Sequence, residues 1–243
     1  MRTIAIGDIH GGLKGLVQLL NKLEVKDEDE LVFMGDYVDG WSESAQVVQF
    51  LIELSQKITC VFIKGNHDVW CEEWLETGEV NMTWYIHGGM ETMASYDDFS
   101  DEEKTAHLAF FKKLKLYHLD DQNRLFLHAG FTSMHGVEKE VHKPTLYFDR
   151  TLWELALAMD NNLDTKSYFY PNRLKHYHEI YIGHTPTTNF KCDIPMNAIN
   201  IWNVDTGAAF KGRITGMDIE TKTFLQSDPV YTLYPNEKGR NKD

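Results

Sequence analysis

Short apolar runs that end at a polar, metal-ligating residue recur along the chain: IAIGDIHG (4–11), LVFMGDYVDG (31–40), CVFIKGNHD (60–68), LFLHAG (125–130) and IYIGHT (180–185). Each run is strand-length and rich in Ile, Val, Leu, Phe or Tyr, so each predicts a buried strand. Between the first three lie helical periodicities. Leu13, Leu16, Val17, Leu20 and Leu23 predict a helix over 13–23, and SESAQVVQFLIEL predicts another over 42–54, with Ser42 or Ser44 as its N-cap. The order βαβαβ predicts an α/β core containing parallel strands.

The pattern then changes. Strand signals vanish over 69–122, where Trp70, Trp74, Leu75, Trp84 and Tyr85 predict helices and loops. Within that stretch, SDEEKTAHLAFFKKL (100–114) predicts a helix with Ser100 as cap and Glu103 closing a capping box. Residues 131–178 form a second irregular insertion with a helix near 150–159. The segments 197–207, 213–221 and 224–233 predict antiparallel hairpins. One domain is expected over 1–235, followed by a polar, frayed tail over 236–243.

At the strand ends stand Asp8, His10, Asp36, Asn66, His128 and His184. If the strands share one sheet architecture, their ends pool these side chains in one crevice. Oxygen donors together with imidazoles suit two borderline divalent cations such as Mn, Fe or Zn. Such a pair sits about 3.5–4 Å apart and clamps both oxygens of an in-line displacement, with a metal-held hydroxide as nucleophile. His67, beside Asn66, is then the general acid for the leaving group. Asp39 is placed to orient that imidazole, hold it charged and raise its pKa. Gly7, Gly35, Gly65 and Gly183 immediately precede ligands, where a tight turn or positive φ is expected. The remaining histidines match no ligand pattern; His176-Tyr177-His178 is the one further cluster with metal-site spacing.

Composition narrows the function. A net charge of −13 disfavours a grip on nucleic-acid backbones, though bound cations can invert the local field for phosphate chemistry. No apolar stretch of the 243 residues reaches membrane-spanning length. Met1-Arg2-Thr3 leads straight into a strand with no signal peptide, so a cytoplasmic setting is expected. Cys60, Cys71 and Cys192 form no CxxC pair, which fits a reducing compartment. Cys60, inside an apolar run, reads as a packing residue.

Taken together, GDIHG, GDYVDG, GNHD, HAG and GHT resemble the calcineurin-like metallophosphoesterases, and within them the serine/threonine phosphoprotein phosphatase superfamily of bacterial and phage type. The resemblance covers about 4–220. It implies a four-layer α/β/β/α sandwich with the two irregular insertions and a dimetal site at the sheet edges. One cation would take Asp8, His10 and Asp36; the other would take Asp36, Asn66, His128 and His184. His67 and Asp39 match the family's acid pair. The Asp-Thr-Gly of segment 203–220 matches a C-terminal hairpin, which makes Asp205 structural. The sequence departs from the family at the phosphate clamp. The arginine after Val-Asp is Gly40 here, and the arginine before Gly-Asn-His is Lys64, which keeps charge but lacks a bidentate fork. Arg150, in FDRTLWE, is the candidate replacement from the second insertion, so Lys64 and Arg150 are the expected phosphate-binding residues.

Phosphomonoester hydrolysis on a phosphoprotein or small phosphoester, with manganese as the first choice of metal, is the expected activity. The motifs also resemble those of the symmetrical diadenosine tetraphosphate hydrolases, which share the metal set but shape the cleft for a dinucleotide. A non-catalytic, metal-stabilised binding protein would have no need of His67 and Asp39. No membrane or nucleic-acid partner is expected, and the sequence leaves the oligomeric state open.

Overall fold

The computed structural model describes residues 2–241; residues 242 and 243 of the expected tail lie outside the described residues. In chain order the core begins β1 (Thr3–Ile6), α1 (Leu13–Leu23), β2 (Glu30–Phe33), α2 (Ser44–Leu54), β3 (Thr59–Phe62) and α3 (Asn66–Thr77). It continues with β4 (Tyr117–Leu119), β5 (Arg124–Leu127), β6 (Glu179–Ile182), β7 (Met196–Ala198), β8 (Ile201–Asn203), β9 (Thr215–Asp218) and β10 (Phe224–Gln226).

The strands form two sheets. The first has the order β10-β9-β1-β2-β3 and the second β4-β5-β6-β8-β7. In the first, β1, β2 and β3 run parallel while β9 pairs antiparallel with β1. In the second, β5, β6 and β8 run parallel and β4 and β7 form antiparallel edges.

Side-chain alternation along each strand builds the layers. Ile4 and Ile6 of β1 face the helices, packing with Leu16 and Leu19 of α1 and Val47 and Val48 of α2. Ala5 faces the other way, into a core shared with Val32, Val61, Phe126 and Tyr181. That core lies between the sheets, where Phe126 stacks on Tyr181 at 4.9 Å between centroids. Leu125 and Leu127 point outward to Leu146, Leu152 and Trp153 of the second insertion. With both faces covered, the strands are apolar throughout rather than alternating, which is why each read as a continuous run. Two mixed sheets flanked by helices give the α/β metallophosphoesterase sandwich that the sequence predicts.

Several local expectations need correction. Ser44 does not cap α2. Its hydroxyl instead accepts from the Asp39 amide at 3.1 Å, and Glu43 stands at the N-cap without a side-chain bond. Strand β4 lies inside the stretch read as helix and loop, hairpinned to β5 through a turn in which Asn123 has φ 60°. Residues 230–233 form a short helix after Pro229 rather than strand. The tail, as far as it is described, is not frayed: the Glu237 carboxylate accepts from the Ser42 amide at 2.9 Å and the Ser42 hydroxyl at 2.8 Å. The capping box of Ser100 and Glu103 forms as read. Burial pushes the Cys60 thiol up to about 12, in keeping with a packing role. No helix among the described residues is long and apolar enough to cross a membrane.

Candidate metal centre

Parallel strands point their C-terminal ends the same way, so the loops after β1, β2 and β3 open on one edge of the first sheet, and those after β5 and β6 on the matching edge of the second. Asp8, His10, Asp36 and Asn66 come from the first sheet; His128 and His184 come from the second. All six are buried. His10 Nε2 lies 3.6 Å from Asp36 Oδ2 and 3.9 Å from Asp8 Oδ2, and His128 Nε2 lies 3.3 Å from Asp36 Oδ2. Asp36 therefore stands between two ligand groups, one with His10 and His67 and one with His128 and His184. Among the described residues these are the only clusters with metal-ligand spacing, and His176 instead bonds the Met134 carbonyl.

Two of the ligand imidazoles are fixed from behind. His128 Nδ1 bonds the Met34 carbonyl at 2.7 Å, and His10 Nδ1 bonds the carbonyls of Asp39 at 2.9 Å and Val38 at 3.1 Å. A carbonyl can only accept, so Nδ1 carries the proton and Nε2 presents a lone pair to the cleft. Three buried polar atoms at this spot, Asn66 Oδ1, His128 Nε2 and His184 Nε2, have no hydrogen-bond partner among the described residues. Buried polar atoms are rarely orphaned, and here they converge with carboxylates, so the residues fit divalent cations. The charges tell the same story. Burial and Asp205 push Asp8 well above the usual carboxylate range. Burial also works against a charged Asp36, but His128, His67 and His10 outweigh it and hold Asp36 well below that range. Burial lowers His128 while Asp36 more than compensates, lifting it to about 10. The carboxylate thus favours a positive charge beside His128 Nε2, which a cation can supply in place of a proton.

The backbone is strained at the same residues. His10 (φ 53°), Asp36 (φ 53°), Asp39 (φ 73°) and His184 (φ 66°) all sit in the left-handed region. Positive φ thus falls mainly on the ligands rather than on the glycines before them; of those four glycines, only Gly35 adopts it. Gly65 and Gly183 serve closeness instead, since a Cβ there would overlap the carboxylates of Asp36 and Asp8 respectively.

His67 Nδ1 and Asp39 Oδ2 are 2.6 Å apart, both fully buried. The expectation that Asp39 raises the His67 pKa does not hold. Burial dominates both groups, lowering His67 to about 3 and raising Asp39 to about 8. With Nδ1 tied to Asp39, the Nε2 edge is the part of the ring that His67 turns to the cleft that it lines.

Two residues behind this pair belong to no motif. Trp84 Nε1 donates to Asp39 Oδ2 at 2.7 Å and the Thr92 hydroxyl to Oδ1 at 2.6 Å. Asp68 accepts from the amides of Gly65 (2.7 Å), Asp36 (2.9 Å) and Tyr37 (2.9 Å), locking two ligand loops together. It is the third residue of α3 and part of its capping box, so a helix-start reading of GNHD could have found it. Asp205 Oδ1 accepts from the Gly207 amide at 2.9 Å and shapes its own turn.

The open side is a cavity of about 290 Å³ lined by Asp36, Asn66, His67, Phe148, Arg150 and Arg240 among others. Arg150 Nη1 donates to Thr185 Oγ1 at 2.8 Å and reaches the His184 carbonyl at 3.4 Å, which puts it at the mouth. Lys64 is not brought there. It pairs with Glu72, and both line a separate surface cavity beside Tyr147. The physical reason is local: Gly65 turns the chain into α3, and Glu72, within that helix, captures the ammonium. Arg240 was not foreseen, because nothing in NEKGRNKD marks one residue of a polar tail.

Comparison with known proteins agrees with this architecture. Bis(5'-nucleosyl)-tetraphosphatase PrpE [asymmetrical] of Oceanobacillus iheyensis is 29% identical, over 93% of this chain and 91% of that protein. The protein of the same name from Anoxybacillus flavithermus is 29% identical over 98% of each. Among solved structures, a protein serine/threonine phosphatase from Saccharomyces cerevisiae superposes with a TM-score of 0.61 at 15% identity, covering 94% of this chain and 80% of that one. A metallophosphoesterase from Sphaerobacter thermophilus does so with a TM-score of 0.55 at 15% identity, covering 94% and 89%. Residues 1–210 match the calcineurin-like phosphoesterase family, and the chain belongs to it.

Proposed function

We propose that this metal-dependent phosphoric ester hydrolase acts on a dinucleoside polyphosphate, cleaving a tetraphosphate chain into unequal nucleotides. The observation that carries the reading is the room beyond the metal cleft. A second cavity of about 690 Å³ shares His87 and Arg240 with the cleft and is walled by Tyr85, Ile86, Met90 and Phe210. Aromatic and apolar walls beside a cationic junction suit a nucleoside attached to phosphates. The names of the relatives at 29% identity support the same substrate and the unequal cut. The phosphoprotein reading expected from the motifs has less support, since the yeast phosphatase shares only the fold.

In this reading Asp8, His10, Asp36, Asn66, His128 and His184 hold two divalent cations, which when bound supply Lewis acidity and charge neutralisation at phosphorus. The protein's own groups do the rest. Arg150, tethered by Thr185, faces the phosphoryl oxygens. His67 gives its Nε2 proton to the departing phosphate oxygen while Asp39 holds the ring through Nδ1. Trp84 and Thr92 keep the Asp39 side chain in place.

Manganese-loaded protein is offered diadenosine tetraphosphate, a phosphopeptide and an aryl phosphate in parallel, and the nucleotide products are separated by anion exchange. The expected result is ATP with AMP, at a kcat/KM at least about 100-fold above the phosphopeptide's, the discrimination open to a site that binds the extra groups. Two ADP would replace unequal by symmetrical cleavage. Faster turnover of the phosphopeptide would return the protein to the phosphoprotein phosphatases.

A further inference from the structure

The arginine missing after Val38-Asp39 leaves a gap that another part of the chain fills. Gly40 has φ 131°, a conformation closed to most side chains, and Arg240 Cγ lies 3.4 Å from the point where a Cβ on Gly40 would stand. The side chain of Arg240 therefore runs where a side chain from position 40 would start. We propose that Arg240 contacts the phosphoryl oxygens of the substrate in place of the absent arginine. The proposal rests on the phosphoesterase reading of the cleft, and holds for a dinucleotide or a monoester.

The segment bearing Arg240 is built in rather than draped. The Arg240 amide donates to the Ala209 carbonyl at 2.9 Å. Glu237 caps the Ser42 amide and hydroxyl, two residues past Gly40. Gly239, with φ 56°, lies so close to the Trp41 indole that a Cβ would come within 2.7 Å of the ring. Trp41 is itself fixed, stacked on Tyr234 at 5.4 Å and donating to the Ala208 carbonyl at 2.8 Å. Trp41 takes the position after the missing arginine and supplies the surface on which the segment bearing Arg240 docks.

The guanidinium is held but not neutralised. It lies over the Phe210 ring at 5.5 Å, and among the described residues its nitrogens make no hydrogen bond or ion pair. It lines both the metal cleft and the larger cavity. Burial depresses its pKa, while Asp36, Asp39, Asp205 and Asp8 pull the other way. With cations on Asp8 and Asp36, an arginine whose guanidinium donors meet no partner among the described residues, at the mouth of a phosphoester site, has a phosphate as its natural partner. At the junction of the two cavities it can meet a polyphosphate chain passing from one to the other.

The test is calorimetric titration of manganese-loaded protein with inorganic phosphate, for wild type, Arg240→Ala and Arg240→Lys, alongside KM and kcat on an aryl phosphate. Arg240→Ala should weaken phosphate binding by about 10- to 100-fold, the worth of a charge-assisted contact, and should raise KM more than it lowers kcat. Metal content and Tm should stay at wild-type values, Arg240→Lys should recover part of the loss, and methylguanidinium should restore Arg240→Ala. Wild-type phosphate affinity in Arg240→Ala would overturn the proposal. So would equal losses in both variants together with lower metal content or Tm, which would make Arg240 a structural counter-charge. Wild-type protein that neither binds phosphate nor hydrolyses any phosphoester would overturn the phosphoesterase reading as well, and is told apart by needing no variant.

Discussion

The floor of the cleft takes His10, Asp36, Asn66, His128 and His184 from the ends of parallel strands. Its rim takes Thr83, His87, Phe148, Arg150 and Arg240 from loops, short helices and the C-terminal segment. On the floor each side chain follows its strand within a few residues and is buried, and His10, Asp36 and His128 are braced by backbone carbonyls or amides. On the rim, partners come from far away in sequence: Trp84 and Thr92 reach Asp39, and Arg240 reaches the neighbourhood of Gly40. In the proposed reading the floor holds the cations, whereas the rim decides what phosphoester can be presented to them. A chain can therefore keep its metal motifs intact and still replace its phosphate clamp.

The difference gives an order of expected effects. Asp36→Asn, at the centre of the floor, should lower bound metal and cut hydrolysis by about 10³-fold or more, since several kcal/mol of charge stabilisation depend on the cations. Elemental analysis with a turnover assay checks it, and full metal content in that variant would break the division between floor and rim. His67→Asn should keep its metal yet lose about 10²–10⁴-fold on a phenyl phosphate-like ester and much less on a nitrophenyl ester, whose leaving group hardly needs a proton. Equal losses on the two esters would move His67 from proton donor to phosphate or metal partner.

Trp84→Phe removes one donor to Asp39 while leaving the ring's bulk. About 1–3 kcal/mol of stability and about tenfold in rate on the poor leaving group should be lost, with metal content unchanged. Chemical denaturation and parallel kinetics measure both. The smallest effect tests a buried titratable group outside floor and rim. His107 is held by Tyr96 at 3.0 Å and Gln49 at 3.1 Å, and burial lowers its pKa from 6.5 to about 4. The unfolded chain then binds the proton first, so stability is full above about 6.5 and falls until pH reaches about 4. His107→Gln should flatten that part of a Tm-against-pH curve with no change in turnover at neutral pH.

The same contrast explains what the sequence could disclose. Strand ends are legible because an apolar run, a glycine and a ligand stand side by side, and the parallel order follows from the helices between them. Helix 101–113 was legible through its capping box. Strand β4 was not, because Tyr117, His118 and Leu119 are all only half-buried and give no alternation. Ser44 misled because a serine before a helix can serve either the helix or a neighbouring loop, and here the Asp39 loop takes it. The directions in which His67 and Asp39 shift were not legible because burial, which no motif encodes, is the largest cause for both. Arg240 and Trp84 left no local trace at all, because their meaning exists only once distant segments are docked.

The first sheet also has a consequence for the order in which the protein is made. β1 is made long before β9, yet β9 is one of its two neighbours, with Ile4 opposite Asp218. β2 can zip onto one side of β1 early, but the other side stays an unpaired row of amides and carbonyls until residues 215–218 have been synthesised. Until then the nascent chain exposes an apolar strand edge of the kind that recruits other chains. Aggregation during expression should therefore track the time between the synthesis of β2 and that of β9, and slowed translation within that interval should raise it.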